Sequence, residues 1–252
     1  MNRLTKQRVL KLPVPAWAAL LLAVAMSAAL PARAGDAAPA EALLSSPLRA
    51  ADDLKSDAGR HPLGLLRFSH VAPGMSVLDI SAVGGYATQL MALAVGANGK
   101  VWAQIPKDSP SLEKRLSAHP QANIKVLRRP FEDPFPKDAP RVDVVTFVLS
   151  YHDIAYSPVD RARMDRAIFD ALKPEGRLIL IDHAARAGSG TADSESLHRI
   201  DEQTVRAELA AAGFVLEAES DFLRNPDDPR EQAFFDMNMP ADRFAFRFGK
   251  LK

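Results

Sequence analysis

Histidines and aspartates cluster in the sequence after two predicted strands. They are His152, Asp153, Asp182, His183 and His198. The strands are predicted over residues 142–149 and 177–181, and in open α/β sheets ligands bind beyond the carboxyl ends of the strands. We therefore expect these side chains to lie close together at a ligand-binding edge. The candidate catalytic residues are His152, Asp153, His183 and His198.

Three interpretations of this cluster remain open at the level of the sequence. In the first, His152 or His183 is a general base that takes a proton from an oxygen or nitrogen nucleophile, and a neighbouring aspartate orients the ring. In the second, two or three histidines bind a divalent metal with Asp182 or Asp201, although their spacing matches no compact metal motif. In the third, the histidines only fasten a loop by hydrogen bonds.

A glycine-containing turn between a short apolar strand and a helix predicts a nucleotide site. The strand is predicted over residues 76–80, the turn over 81–85, the helix over 86–95 and a second strand over 100–105. Such a turn lets a ligand approach the backbone, and the helix N-terminus offers free N–H groups.

The rest of the chain alternates between predicted helices and strands. Helices are predicted over 41–57 (broken at Pro47), 61–70, 109–118, 158–172 and 201–212, strands over 123–128, 214–223 and 243–248, and loops over 130–140 and 182–199. The alternation predicts a Rossmann-like, doubly wound α/β sheet of seven strands. No helix fits between the last two strands, so the sheet should be mostly parallel with an antiparallel last strand.

Several segments resemble class I S-adenosylmethionine (SAM)-dependent methyltransferases. Residues 77–88 (VLDISAVGGYAT) resemble motif I of that family, and residues 96–101 and 171–177 (ALKPEGR) resemble its turns before strands two and five. The likeness covers about residues 60–250. The chain also resembles an exported subgroup of predicted methyltransferases, which share the Tyr-His-Asp and Asp-His segments.

The resemblance implies a SAM site and assigns residues to it. These are Asp79, Ser81, Ala82, Gly84, Gly85, Tyr86, Gln104, Phe131, Glu132 and Ser150. The sequence departs from the family at three positions. Ser81 and Val83 stand where the family has glycines, and Gln104 stands where it has an acid that holds the ribose.

The N-terminal 34 residues have the three parts of a secretory signal. They hold five basic residues and no acidic one, so the rest of the chain carries −4 of the net charge of +1. An apolar run over 16–30 and the Ala32-Arg33-Ala34 site predict cleavage near Ala34 and a periplasmic or secreted protein. The predicted organisation is a signal peptide over 1–34, an N-terminal extension over 35–59 and a methyltransferase-like domain over 60–252.

The composition argues against several classes of binding partner. The mildly acidic remainder argues against nucleic acid, the absence of cysteine excludes thiolate metal sites, and no membrane anchor is expected after cleavage. The oligomeric state is not predicted. We expect SAM-dependent, histidine-assisted methyl transfer to a small molecule. The alternative is an exported protein of the same fold that does not methylate, with a remodelled ligand or divalent-metal site on His152, His183 and His198; export favours it, since SAM is made in the cytoplasm.

Overall fold

A computed structural model of the protein describes residues 40–250. Its helices are α1 (Ala40–Leu44), α2 (Ala51–Arg60), α3 (Pro62–Ser69), α4 (Tyr86–Val95), α5 (Pro110–Ala118), α6 (Tyr151–Ala155), α7 (Arg161–Ala171), α8 (Ser194–Leu197) and α9 (Glu202–Ala211). Its strands are β1 (Ser76–Ile80), β2 (Lys100–Ile105), β3 (Ile124–Arg128), β4 (Val142–Val148), β5 (Leu172–His183), β6 (Phe214–Ser220) and β7 (Arg243–Lys250). The predicted signal peptide lies outside the described residues, so export stays a prediction.

The strands form one seven-stranded sheet in the order β3-β2-β1-β4-β5-β7-β6. Strands β1 to β5 pair in parallel, whereas β7 runs antiparallel to both β5 and β6. The predicted fold class is confirmed. Within residues 40–250, no helix has the length and apolar character that crossing a bilayer requires.

Helices cover both faces of the sheet because side chains alternate along each strand. On one face Leu78 packs in a cluster with Ile168 of α7 and Leu209 of α9. On the other face Val77 packs with Met91 of α4 and with α3.

Three elements around the histidines differ from the sequence-based expectation. Strand β5 runs through Asp182 and His183, which were expected to begin a loop, because these residues pair with Phe244 and Arg243 of β7. Helix α6 directly follows β4 and was not predicted. Helix α8 interrupts the segment predicted as a loop over 182–199. The histidines are therefore held by regular structure.

Asp79 is a buried junction between three elements, while its expected place in the cofactor site stays a prediction. It is 2% exposed. Thr88 Oγ1 of α4 donates to its Oδ2 at 2.5 Å, and Thr146 Oγ1 of β4 donates to its Oδ1 at 2.7 Å. Burial raises the pKa of Asp79 to about 6, despite those two hydrogen bonds. Its carboxylate therefore joins β1 to α4 and β4.

Replacing Asp79 should change how stability depends on pH. An acid whose pKa is higher in the folded chain binds more protons when folded, so the stability it contributes falls as pH rises between the two pKa values. From the ordinary value of 3.8 to about 6, the loss is about 3 kcal/mol. In Asp79→Asn, urea unfolding from pH 4 to 7 should lack this loss. A profile parallel to that of the wild type would contradict the assignment.

Candidate functional site

The four candidate catalytic residues line one cavity of about 290 Å³ at the carboxyl ends of β4 and β5. They are His152, Asp153, His183 and His198. The predicted proximity of these side chains is therefore present in the structure, while their catalytic role stays a prediction. We call this space the histidine cavity.

Asp182, the residue beneath the histidine cavity, is fully buried and holds both neighbouring histidines. Its Oδ1 lies 2.6 Å from Nδ1 of His152, and its Oδ2 accepts the backbone N–H of His152 at 2.8 Å. Oδ1 also accepts the backbone N–H of His183 at 2.8 Å. One carboxylate therefore fixes the start of α6, the end of β5 and the orientation of the His152 ring.

The carboxylates around His152 keep its ring protonated. Burial alone would lower the pKa of His152, but Asp182 and Asp153 outweigh it and raise that pKa to about 10. Nε2 of His152 lies 3.1 Å from Oδ1 of Asp153. A protonated His152 ring is a donor at both nitrogens, and the general-base role expected from the sequence stays a prediction.

His198 completes the group around Asp153. Its Nδ1 lies 3.2 Å from the Asp153 Oδ1 that also faces His152, and the Tyr156 hydroxyl donates to the same oxygen at 3.3 Å. His198 has a φ of +53°, and Leu149, just before α6, has a φ of +57°. Left-handed backbone at residues other than glycine costs energy and is concentrated at functional sites.

His183 is a neutral imidazole. It is 1% exposed, and its ring stacks on Phe234 with centroids 4.2 Å apart. Burial, with the charges of Arg243 and His152 among others, lowers the pKa of His183 to about 2. Its Nδ1 is buried without a hydrogen-bond partner. The ring can accept a hydrogen bond or bind a metal, but it is a weak base.

Four residues that line the histidine cavity were not candidate site residues in the sequence analysis. They are Arg60, Leu149, Phe234 and Arg243. Arg243 directly opposes His183 in the antiparallel β5–β7 pair, whereas the sequence analysis predicted only that the last two strands pair with each other. Arg60 ends α2, and no local pattern marks it.

A buried arginine holds the segment that carries Phe234. Arg199 is fully buried and pairs with Asp228 at 2.9 Å. Its Nε donates to the carbonyl of Gln232 and its Nη1 to the carbonyl of Ala184 at the end of β5. These contacts tie the loop between β6 and β7 to the rim of the histidine cavity.

Asp201, considered as a metal ligand from the sequence, is the N-cap of α9 instead. Its side chain accepts the backbone N–H of Gln203 at 3.1 Å and that of Gly188 at 2.9 Å. It does not line the histidine cavity. The expected metal role is therefore not supported for Asp201.

The predicted nucleotide turn has the backbone path of a glycine turn despite its substitutions. Ser81, Val83 and Gly85 have φ of +56°, +47° and +78°. Helix α5 packs against this turn: Ser109 Oγ donates to the carbonyl of Val83 at 2.6 Å, and a Cβ on Gly85 would lie 2.6 Å from a methyl group of Leu112. The turn is thus strained at Val83 and supported from one side.

Gln104 braces the turn from inside the protein, while its expected contact with a ribose stays a prediction. It is fully buried. Its Oε1 accepts the backbone N–H of Ser81 at 2.9 Å, and its Nε2 donates to the carbonyl of Arg129 at 2.7 Å. Tyr86 also bonds within the protein, since its hydroxyl donates to Asp57 at 2.7 Å.

The remaining predicted cofactor residues are divided among several places. Ala82 is buried and Gly84 is half-buried in the turn, and Ser150 is buried at the N-cap of α6. Phe131 packs against the core cluster that contains Leu78. Glu132 lines a separate cavity of about 650 Å³ beside α7. The structure does not bring Glu132 to the histidine cavity.

Comparison with solved structures assigns the fold. A SAM-dependent methyltransferase from Aquifex aeolicus is 17% identical, with a TM-score of 0.57 over 83% of this chain and 97% of that chain. The 1,6-didemethyltoxoflavin-N1-methyltransferase of Burkholderia thailandensis, solved with 1,6-didemethyltoxoflavin and S-adenosylhomocysteine, is 18% identical, with a TM-score of 0.54 over 87% and 93%. Fibrillarin from Aeropyrum pernix, with bound S-adenosyl-L-methionine, is 15% identical, with a TM-score of 0.50 over 77% and 74%.

The chain therefore has the class I methyltransferase fold, and identities this low show the fold alone. No protein-family model matches the chain, and no curated protein matches it in sequence.

Relieving the strain at Val83 should stabilise the protein. Val83 is 58% exposed, so Val83→Gly removes little buried surface. Because glycine adopts a positive φ freely, we expect the free energy of unfolding to rise by about 1 kcal/mol in urea titrations. Val215→Gly, at an exposed position of β6, is the control and should lower it by roughly 0.5–1 kcal/mol. Destabilisation by both variants would contradict the strain.

Proposed function

We propose that the protein is a SAM-dependent methyltransferase whose acceptor is a small molecule bound in the histidine cavity. The observation that carries this proposal is the position of the cavity, at the carboxyl ends of β4 and β5 in a sheet with the methyltransferase strand order. Ligands of open α/β sheets bind at this edge. The Burkholderia thailandensis enzyme of the same fold, solved with a small-molecule ligand, also supports it.

The turn over residues 81–85 would hold the cofactor. Its positive φ angles keep the backbone path that glycines would allow. A Cβ placed on Gly84 would have no neighbouring atom closer than 3.7 Å, so the turn has room at that residue. Ser81, Ala82, Gly84 and Gly85 would contact the ligand, mainly through their backbone. Bound SAM supplies an electrophilic methyl group.

His152 would act on the acceptor as a charged hydrogen-bond donor. Because its pKa is raised to about 10, its imidazolium can stabilise an acceptor oxygen that has already lost its proton. Asp182 holds Nδ1 of the ring, so Nε2 is the atom that faces Asp153 and the histidine cavity. A charge-assisted hydrogen bond at Nε2 would keep the acceptor ionised and oriented.

Calorimetric titration with SAM tests the cofactor and separates the two parts of the site. We expect the purified protein to bind SAM and S-adenosylhomocysteine. Gly84→Val should weaken SAM binding at least tenfold, because the valine side chain would fill the space at the turn. The variant should still fold, because the nearest atom to a Cβ at this position, Ser111 Oγ, is 3.7 Å away. His152→Ala, away from the turn, should bind SAM as the wild type does. Absence of binding at millimolar SAM would contradict the proposal.

A second candidate function, metal binding without methyl transfer, is favoured by one observation. Ligand atoms of His152, Asp153 and His198 all lie within 4.8 Å of one another. Two imidazoles and one carboxylate suit zinc, iron or manganese. Asp182 would act as the carboxylate that orients a metal-bound histidine through its second nitrogen. His183, across the cavity, has its Nδ1 unpartnered.

Titration with zinc and with manganese tests this candidate. If the site binds metal, about one equivalent should bind and raise the unfolding temperature, because a ligand of the folded state stabilises it. His198→Ala should remove that response, and His70→Ala, at an exposed residue outside the cavity, should retain it. Equal responses from the two variants, or no stoichiometric metal, would exclude the metal site.

A further inference from the structure

Two arginines from distant parts of the chain converge on the histidine cavity. Arg60 is the last residue of α2, and Arg243 is the first residue of β7. Both line the cavity with His183. Their charges are close enough to affect one another and the ring of His183. The fold thus brings two guanidinium groups to a small cavity that is also lined by the carboxylate of Asp153.

Neither arginine is neutralised by an ion pair within residues 40–250. The guanidinium of Arg60 lies over the ring of Tyr86, 4.6 Å from its centroid. Arg243 donates through Nη1 to the carbonyl of Gly59 at 2.6 Å, and its Nε is buried without a partner. The nearest buried carboxylate, Asp182, already accepts three hydrogen bonds from His152 and His183.

Two arginines close to Arg243 in sequence, in contrast, do form ion pairs. Arg224 pairs with Glu202 at 2.6 Å, and Arg230 pairs with Asp242 at 2.6 Å. Both lie in the segment between β6 and β7, close in sequence to Arg243. Burial and the charge of Arg60 lower the pKa of Arg243, and together they outweigh the opposite effect of Asp182.

We propose that the methyl acceptor carries an oxyanion, a carboxylate or phosphate group, that Arg60 and Arg243 bind in the histidine cavity. This inference rests on the proposed function, because it names the class of acceptor that the same cavity takes. A guanidinium presents a planar set of N–H donors that matches both anions. Arg243 is half-buried and Arg60 is exposed, so both guanidinium groups can be reached from solvent.

The other walls define the rest of the acceptor. Phe234, stacked on His183, and Leu149 supply apolar surface. A volume of about 290 Å³ lies at the lower end of the range for ligand pockets. A compact molecule with an aromatic or apolar body and one acidic group fits these walls.

Calorimetry with matched probes tests the charge requirement. Benzoate and phenyl phosphate share an aromatic ring with the neutral probe benzamide. We expect at least one of the two anions to bind at least tenfold more tightly than benzamide to the full protein, and to bind less tightly as the salt concentration rises. Benzamide binding as tightly as both anions, or no binding of either anion, would overturn the proposal.

Substitutions locate the binding site. Arg60→Gln and Arg243→Gln should each weaken binding of the tighter anion at least tenfold. Arg166→Gln, which removes an exposed arginine of α7 that does not line the cavity, should leave it unchanged. Arg243→Lys keeps the charge and should lose less affinity than Arg243→Gln, and thermal unfolding of every variant identifies any that fails to fold. Unchanged anion affinity in folded Arg60→Gln would overturn the assignment.

SAM titration of the same variants separates this inference from the proposed function. Arg243→Gln should bind SAM as the wild type does, since Arg243 is the first residue of β7 and lies outside the turn over 81–85. Arg60→Gln is not used for this comparison, because the guanidinium of Arg60 lies over the ring of Tyr86 beside that turn. If SAM does not bind, the methyltransferase proposal is contradicted. If SAM binds but substitution of either arginine leaves the affinity for the anions unchanged, only the proposal of an oxyanion on the acceptor is contradicted.

Discussion

The burial of Asp182 is the constraint on which the candidate site depends. A carboxylate without solvent exposure is costly unless donors surround it, and this one receives the backbone N–H groups of His152 and His183 and faces Nδ1 of His152. The donors come from the last residue of β5 and from α6, which follows β4. The same interaction therefore closes the fold at this edge and sets the position of the catalytic candidates.

The environment gives the two histidines beside Asp182 opposite charge states. His152 lies between two carboxylates and is held protonated, whereas His183 lies among cations and an aromatic ring and is held neutral. Titratable pairs driven apart in this way are typical of sites that handle protons or charge. Arg60 and Arg243, which form no ion pair within residues 40–250, extend that cationic surface, and this is the feature on which the proposed oxyanion of the acceptor rests.

The nucleotide turn shows that a backbone path can persist when the residues that favour it change. Val83 occupies a left-handed conformation that suits glycine, and contacts from Ser109 and Gln104 hold the turn around it. Together with Leu149 and His198, it is one of the left-handed positions other than glycine at the carboxyl edge of the sheet. Strain at such positions persists only where the surrounding structure holds it.

The sequence by itself determined the elements whose signals are local. The bounds of β1, α4 and β2 match those predicted, because apolar runs, a glycine turn and helical periodicity lie within a few residues of one another. The sequence also predicted that the last strand is antiparallel, because no helix fits between it and the strand before it. Only the tertiary structure decided the extent of β5, the helix at His152, the inward roles of Asp79 and Gln104, and the arrival of Arg60 at the histidine cavity. Each of these depends on partners far away in sequence, and the free energy of burying a polar group is set by the partner it meets.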